Sequence, residues 1–408
     1  MGPPSGGLPV VVIETEILAV GDRLVSAIRD VIAPFKDRAP GPQALARTLG
    51  LDKVLTSRVL KATRARDAIA AAHAMPGPEP LRRLVRAAAK RGAAAAAVTQ
   101  ASTAIGEFEV LIRDRIGDRS LLDAIVSAWV PEARREFELR RKQAAFKAIS
   151  QLKGAQAQAI VATVVLSPSV DGRHVDVTWV NGLIGLQRLR PGVRVKLTTR
   201  RLSAGDGERH PMSLGGTPVE DHEHLLLREF CSDPPPRVRV QRAGEVVHYV
   251  LDDAGFGPDS AGDLVFGEVN RPELPRYLPA GSNRLSYFFA EVVTCAKVLQ
   301  FDALVHEDLF PGADPALRIY DTSFEGAANV NDASRDLDQL DMSEAIEPLG
   351  LGPARWRSLD VPRYAEMIRH AFDAMGLDAA RFRGHRCRID YPVYGSQVTM
   401  AMKPQTEG

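Results

Sequence analysis

The fold class expected from this chain is α+β and multidomain. A helical N-terminal part is joined to a β-rich C-terminal part with an antiparallel, sandwich- or barrel-like sheet arrangement. Three observations lead to this. From Glu14 to about Lys153, apolar residues recur at helical spacing and no strand pattern appears. Near Gly154 the period changes to two, in IVATVVLSPSVDGRHVDVTWV, with Asp171-Gly172 as its turn. At 408 residues, with 45% hydrophobic and 25% charged content, the chain can bury two or three cores of ordinary globular composition.

Taken in order, residues 1–13 are rich in Pro and Gly and are expected to be disordered. A first domain over 14–92 opens with an amphipathic helix at 15–36, whose apolar side carries Ile17, Leu18, Val20, Leu24, Ile28 and Ile32. Two short helices follow within 42–63, and another at 79–91 with Pro78 and Pro80 near its start. Residues 93–154 form a helical connector or dimerisation region, with helices at 94–117, 119–129 and 131–153. In the last of these, Phe137, Ala145, Phe146, Ile149 and Leu152 trace an apolar stripe. Arg134, Arg135, Arg140, Arg141 and Lys142 are expected on its solvated side.

The third domain, 155–408, reads as a β-rich ligand-binding or assembly domain. After the 160–180 hairpin, strands are expected at 193–202, within 237–251, and at 263–269, 286–309, 316–322, 386–393 and 397–402. A helix at 361–377 and a short one at 225–230 interrupt them. Strands joined mainly by short turns favour antiparallel pairing, which is why a sandwich or barrel is expected.

The segment most informative about function is PQALARTLGLDKVLTSRVLKAT, residues 42–63. Leu45, Ala46 and Leu49 share one side of a first helix, and Gly50 stands where the chain must leave it with positive φ. Asp52 occupies an N-cap position, and Val54 or Leu55, with Val59 and Leu60, make the apolar side of a second helix. These residues resemble the helix-turn-helix of bacterial transcriptional regulators, of the kind at the N-terminal end of MarR-like and IclR-like proteins. The resemblance is limited to 42–63. It implies a reading helix whose Lys53, Thr56, Ser57 and Arg58 approach base edges or adjacent phosphates, while Arg47, Lys61, Arg64 and Arg66 hold the backbone. A winged variant would continue into a β-hairpin. ARDAIAAAHAMPGPEP offers alanines and a Pro-Gly break instead, so a helix-only form is expected.

Charge points the same way. Between Lys36 and Arg91 stand thirteen Lys or Arg against four acids, an excess of nine in a chain whose net charge is only +1. From Ala296 to Gly350 the balance reverses, with twelve acids and three bases, and this part would be repelled by a duplex. The expected partners are double-stranded DNA, a second copy of the chain, and a small-molecule effector, with no membrane involved. No apolar run approaches the length of a bilayer span. The start has no basic region ahead of its apolar stretch, and three widely spaced cysteines, Cys231, Cys295 and Cys387, fit a reducing compartment. A cytoplasmic location is therefore expected.

Chemistry has one sequence candidate. Gly216, His222, His224 and Glu229 follow the first-motif spacing of cupin barrels, which would make His222, His224 and Glu229 metal ligands. Pro236 replaces that motif's second glycine, and no second histidine motif follows. Phosphate loops, dinucleotide loops, nucleophile elbows and HExxH are absent, and the acidic run NDASRDLDQLD lacks the glycine and glutamate of a calcium loop. The expectation is a DNA-binding transcriptional regulator that performs no catalysis and needs no cofactor. The alternatives are a cupin-like metal enzyme and a structural protein with a helical interaction scaffold.

Overall fold

The computed structural model describes residues 10–36, 41–65, 67–201, 212–218, 225–235, 237–243, 246–251 and 255–406. The chain divides into two compact units, Met1–Glu138 and Leu139–Gly408.

The first unit is helical: α1 (Val10–Lys36), α2 (Pro42–Leu49), α3 (Lys53–Thr63), α4 (Ala68–Ala74), α5 (Pro78–Lys90), α6 (Ala95–Val110) and α7 (Arg119–Ser127). The last two are joined by a π-helical turn, Leu111–Ile116. Helix α8 (Pro131–Lys153) begins in this unit. One core holds it together, from Ile17, Leu24 and Ile28 of α1 through Leu45, Val59 and Leu84 to Phe108 and Leu122. Residues 93–133 thus share a core with the segment that precedes them. Helix α4 fits in closely because Gly21 lets α1 approach it, where an added Cβ would lie 2.8 Å from the Ala68 carbonyl oxygen. Between α3 and α5 the described residues hold α4 and no strand.

The second unit is β-rich. Its main sheet has six strands in the order β11 (Ile346–Leu351), β12 (Phe382–Asp390), β9 (Ala296–His306), β1 (Ala155–Pro168), β2 (His174–Arg188), β6 (Gly262–Pro275). A second sheet runs β10 (Ala316–Asp321), β13 (Ser396–Met402), β8 (Ser286–Glu291), and a third runs β3 (Val195–Arg201), β5 (Val246–Leu251), β4 (Val238–Ala243). Two short strands, β7 (Tyr277–Leu278) and β14 (Gln405–Thr406), pair in parallel.

The expected antiparallel sandwich is corrected at the centre of the main sheet, where β1 and β9 run parallel, Val161 opposite Gln300 and Val164 opposite Ala303. Both faces of this sheet are covered. Ile160, Val164, Phe301 and Ala303 meet Phe288, Val398 and Met400 of the second sheet. Ala159, Val161, Val165 and Leu304 meet Tyr364, Met367, Ile368 and Phe372 of helix α9 (Tyr364–Met375). Double coverage explains the near-continuous apolar run of β1. Sequence alternation reveals strands but not partners, and the parallel pair joins segments more than a hundred residues apart.

Other expectations shift locally. The stretch 286–309 is two strands, β8 and β9, and the expected helix at 225–230 is a short 3-10 turn at Arg228–Phe230. Strand β11 adds to the expected set. Pro348 and Gly350 break its pattern, and it lies at the sheet edge with a bulge between those residues. Lys142, expected on a solvated side of α8, is buried and paired with Glu344. Leu152 of the expected apolar stripe is exposed instead.

The charge at the heart of the second unit is Asp302 on β9, fully buried. Arg386 lies opposite it on β12 and grips both oxygens, Nε to Oδ1 at 2.8 Å and Nη2 to Oδ2 at 2.6 Å. The Tyr364 hydroxyl donates to Oδ2 at 2.5 Å and Gln300 Nε2 donates to it at 3.2 Å. Because the Tyr364 proton is committed to the carboxylate, Thr163 on β1 must donate to the phenol oxygen, at 2.9 Å. Three strands and a helix are therefore fastened through one carboxylate.

Burial first, and then the Asp302 carboxylate, holds the Tyr364 phenol well above its ordinary value of 10.0. Its neutral form thus contributes stability that is fully present below pH 10 and is lost as pH rises toward the folded value. In alkaline unfolding scans, Tyr364→Phe should show a smaller loss of stability above pH 10 than the parent chain. Asp302→Ala leaves the half-buried Arg386 guanidinium without its counter-charge and should lower the unfolding free energy in urea by about 3 kcal/mol.

Candidate nucleic-acid interface

The segment singled out by sequence forms two helices with a defined joint. Helix α2 ends at Gly50, in the left-handed region at φ 69° and ψ 38°. The Leu51 amide bonds the Ala46 carbonyl at 2.9 Å and the Gly50 amide bonds that of Arg47 at 3.4 Å. These two bonds close the first helix as a Schellman turn, which a Cβ at position 50 would strain. Asp52 then starts α3, its Oδ1 accepting the Leu55 amide at 2.7 Å. At the far end, Arg29 of α1 donates to the Thr63 carbonyl at 3.0 Å, placing a cation at the negative end of the helix.

The rotation of α3 about its axis is fixed by Thr56. Expected among the outward residues, Thr56 is at 0% exposure, and its hydroxyl donates to the Pro42 carbonyl at 2.8 Å. This corrects its role from reader to fastener: the side chain joins the middle of α3 to the first residue of α2. Leu55, Val59, Leu60, Ala62 and Thr63 go inward with it. Of the two residues offered for the apolar side, Leu55 takes the core and Val54 is 70% exposed.

The outward face of α3 then consists of Lys53, Val54, Ser57, Arg58 and Lys61, with Arg64 just beyond its end and Arg47 exposed on α2. Arg66 lies outside the described residues. Neighbouring cations divide sharply into two groups. On α5, Arg82 pairs with Glu109 of α6, Arg86 with Glu79 at 2.8 Å, and Arg83 with Asp52 at 3.9 Å. Hydrogen bonding from Arg86 holds the Glu79 carboxyl below its ordinary value, and Arg82 does the same for Glu109. Among the described residues, Arg47, Lys53, Arg58, Lys61 and Arg64 have no such carboxylate partner. The three arginines of α5 are thus paired, whereas the cations of α3 have no carboxylate partner among the described residues. Sequence could count these charges, but it could not separate the two groups, because Arg82 and Arg83 find their partners on other elements, at Glu109 and Asp52.

The remaining candidates are less coherent. His222 and His224 lie outside the described residues, and Glu229 is bound by His370 Nδ1 at 2.9 Å. Among the described residues no group of three or more His, Cys, Asp or Glu is placed to hold a metal. The acidic run is organised around Arg335, which is buried and bonds Asp338 at 2.7 Å together with the carbonyls of Gly326 and Ala327. An open cleft of about 370 Å³ beside it is lined by Arg284, Arg318, Asn331 and Asp336, among others. The three cysteines are free, with Cys295 and Cys387 buried, and burial pushes the Cys387 thiol up to about 12. No described helix is long and apolar enough to cross a membrane.

No protein-family model matches the chain, and no curated protein matches it. Among solved structures it is similar to a Parabacteroides distasonis protein provisionally described as a protease. Identity is 9% and the TM-score 0.26, over 62% of this chain and 41% of that one. The chain matches about two fifths of that protein's length, and so loose a superposition carries no argument about fold or chemistry.

The assignment of inward and outward residues is directly testable. Thr56→Val keeps the side-chain shape but removes the hydroxyl that joins α3 to the Pro42 carbonyl, and should cost about 0.5–1.5 kcal/mol in urea unfolding. Ser57→Ala, one residue further on and exposed, should change stability by less than about 0.5 kcal/mol. Equal effects at the two positions would mean that a different side of α3 faces the core.

Proposed function

We propose that the chain is a DNA-binding transcriptional regulator of the helix-turn-helix kind, in which α3 enters the major groove of double-stranded DNA. The observation that carries this reading is the outward face of α3: a helix seated through a buried threonine, and bearing cations that pair with no carboxylate among the described residues. Leaving several like charges unpaired on one short helix stabilises nothing in the isolated protein. A polyanion that releases its counterions on contact gives them a role.

In this reading Lys53, Ser57 and Arg58 approach base edges or the phosphates beside them, and Arg47, Lys61 and Arg64 hold the backbone. Thr56 keeps the reading helix seated on α2. The absence of a strand between α3 and α5 among the described residues supports a helix-only form over a winged one. The chain acts as a homodimer, so that two copies of α3 meet half-sites about one helical turn apart. The β-rich unit senses a small molecule or mediates assembly, and no catalytic step is assigned to either unit.

Binding of the full chain to mixed genomic duplex DNA over a salt series tests this reading. The parent chain should bind at low ionic strength, with a logarithmic affinity that falls linearly with the logarithm of salt. Arg58→Ala/Lys61→Ala should weaken binding and make that slope shallower by about two, roughly one for each contact removed. No binding by the parent chain at low salt, or identical slopes for both proteins, would overturn the proposal.

A further inference from the structure

We infer that Val54 is a sequence-determining residue that reads the C5-methyl group of a thymine, with Arg58 addressing the neighbouring base pair; this rests on the DNA-binding reading of α3. Scattered exposed apolar residues are ordinary on protein surfaces. Val54 differs from them in its setting. It is 70% exposed on the outward face, while its sequence neighbour Leu55 fills the core position that either residue could have taken. A β-branched residue at an exposed helical site is also disfavoured by helix propensity relative to Ala or Lys, so folding gains nothing from it there.

What surrounds Val54 is polar and cationic. Lys53 precedes it, Ser57 and Arg58 stand three and four residues on, and Lys61 follows seven residues on. These spacings place all of them along one side of the helix. The rotation that presents this set is fixed, because Thr56 is held to Pro42 and cannot turn outward without breaking a buried hydrogen bond. The resulting face carries an apolar knob beside a hydroxyl, a guanidinium and an ammonium.

Of the polyanions that would neutralise such a face, B-form DNA has a groove wide enough for a helix and an apolar group at its floor. In that groove the thymine methyl is the apolar feature among donors and acceptors, and guanine presents the paired acceptors suited to Arg. The deep, narrow major groove of an RNA duplex does not admit the helix, and its uracil carries no methyl. The cations exposed on α3, with Arg47 and Arg64 beside it, supply the attraction, and Val54 supplies discrimination that charge cannot.

The test uses the full chain and a duplex selected from a random library, then the same duplex with deoxyuridine in place of each thymidine in turn. The sites recovered should contain a thymine beside a G·C pair. Uracil at that position should weaken the parent chain about fourfold, the effect of losing one buried methyl. Val54→Ala should bind the thymine and uracil duplexes equally, whereas Val54→Thr, which keeps a methyl, should retain part of the preference. If the parent chain binds duplex DNA but selects no thymine, or ignores the uracil exchange at every position, the role given to Val54 is wrong while DNA binding stands. If it binds no duplex at low salt, the DNA-binding reading itself fails and this inference with it.

Discussion

Asp302 sits on a central strand of a sheet that is covered on both faces, where an unpaired carboxylate would cost several kcal/mol of lost hydration. Much of the β-rich unit is arranged around meeting that demand. Arg386 supplies the counter-charge from one neighbouring strand, and Tyr364 supplies a neutral donor from the helix above. Thr163 satisfies the phenol in turn from the other neighbouring strand. Residues drawn from positions 163, 302, 364 and 386 must be in place together, so the parallel pairing of β1 with β9 and the seating of α9 are specified by one group. Apolar packing alone would tolerate a slipped register more readily than this set of directional bonds does. Every member is hydrogen-bonded, and Asp302, Tyr364 and Thr163 are buried, so the cluster fastens the strands and helix it joins.

The same rule operates in the helical unit on a smaller scale. The Thr56 hydroxyl has no water to turn to, so it bonds the Pro42 carbonyl and ties α3 to α2. That bond and the burial of Leu55, Val59 and Leu60 together set which residues of α3 face outward, and so which chemistry the helix can offer a partner. Electrostatics then separates neighbours that look alike in composition. The arginines of α5 have acidic partners on α6, within α5 itself and at the cap of α3, whereas Lys53, Arg58 and Lys61 of α3 have none among the described residues. The exposed cationic face and the buried hydroxyl beneath it are two consequences of a single rotation.

Sequence makes the two-part organisation legible because helical and strand periods differ strongly on either side of Gly154. It makes the α2–α3 joint legible because Gly50 and Asp52 act through local backbone geometry, which depends on few neighbours. It fails where partners are distant. Nothing near β1 announces that β9 lies beside it in parallel, and nothing near Asp302 announces Arg386. Thr56 is misplaced by sequence because a small polar residue on a helix reads as surface unless the carbonyl it meets, fourteen residues earlier, is known. Val54 and Leu55 are interchangeable on paper for the same reason. One residue of helix rotation separates a core leucine from an exposed valine, and Thr56 decides between them.

The central claim, that the outward face of α3 contacts duplex DNA, is tested most directly by lysine footprinting of the full chain. Lys53 and Lys61 are exposed on that face, while Lys147 and Lys403 are exposed in the other unit. With saturating duplex DNA at low salt, acetylation of Lys53 and Lys61 should fall sharply, and that of Lys147 and Lys403 should stay as in the free protein. Protection of Lys147 or Lys403 with Lys53 and Lys61 left reactive would contradict the account.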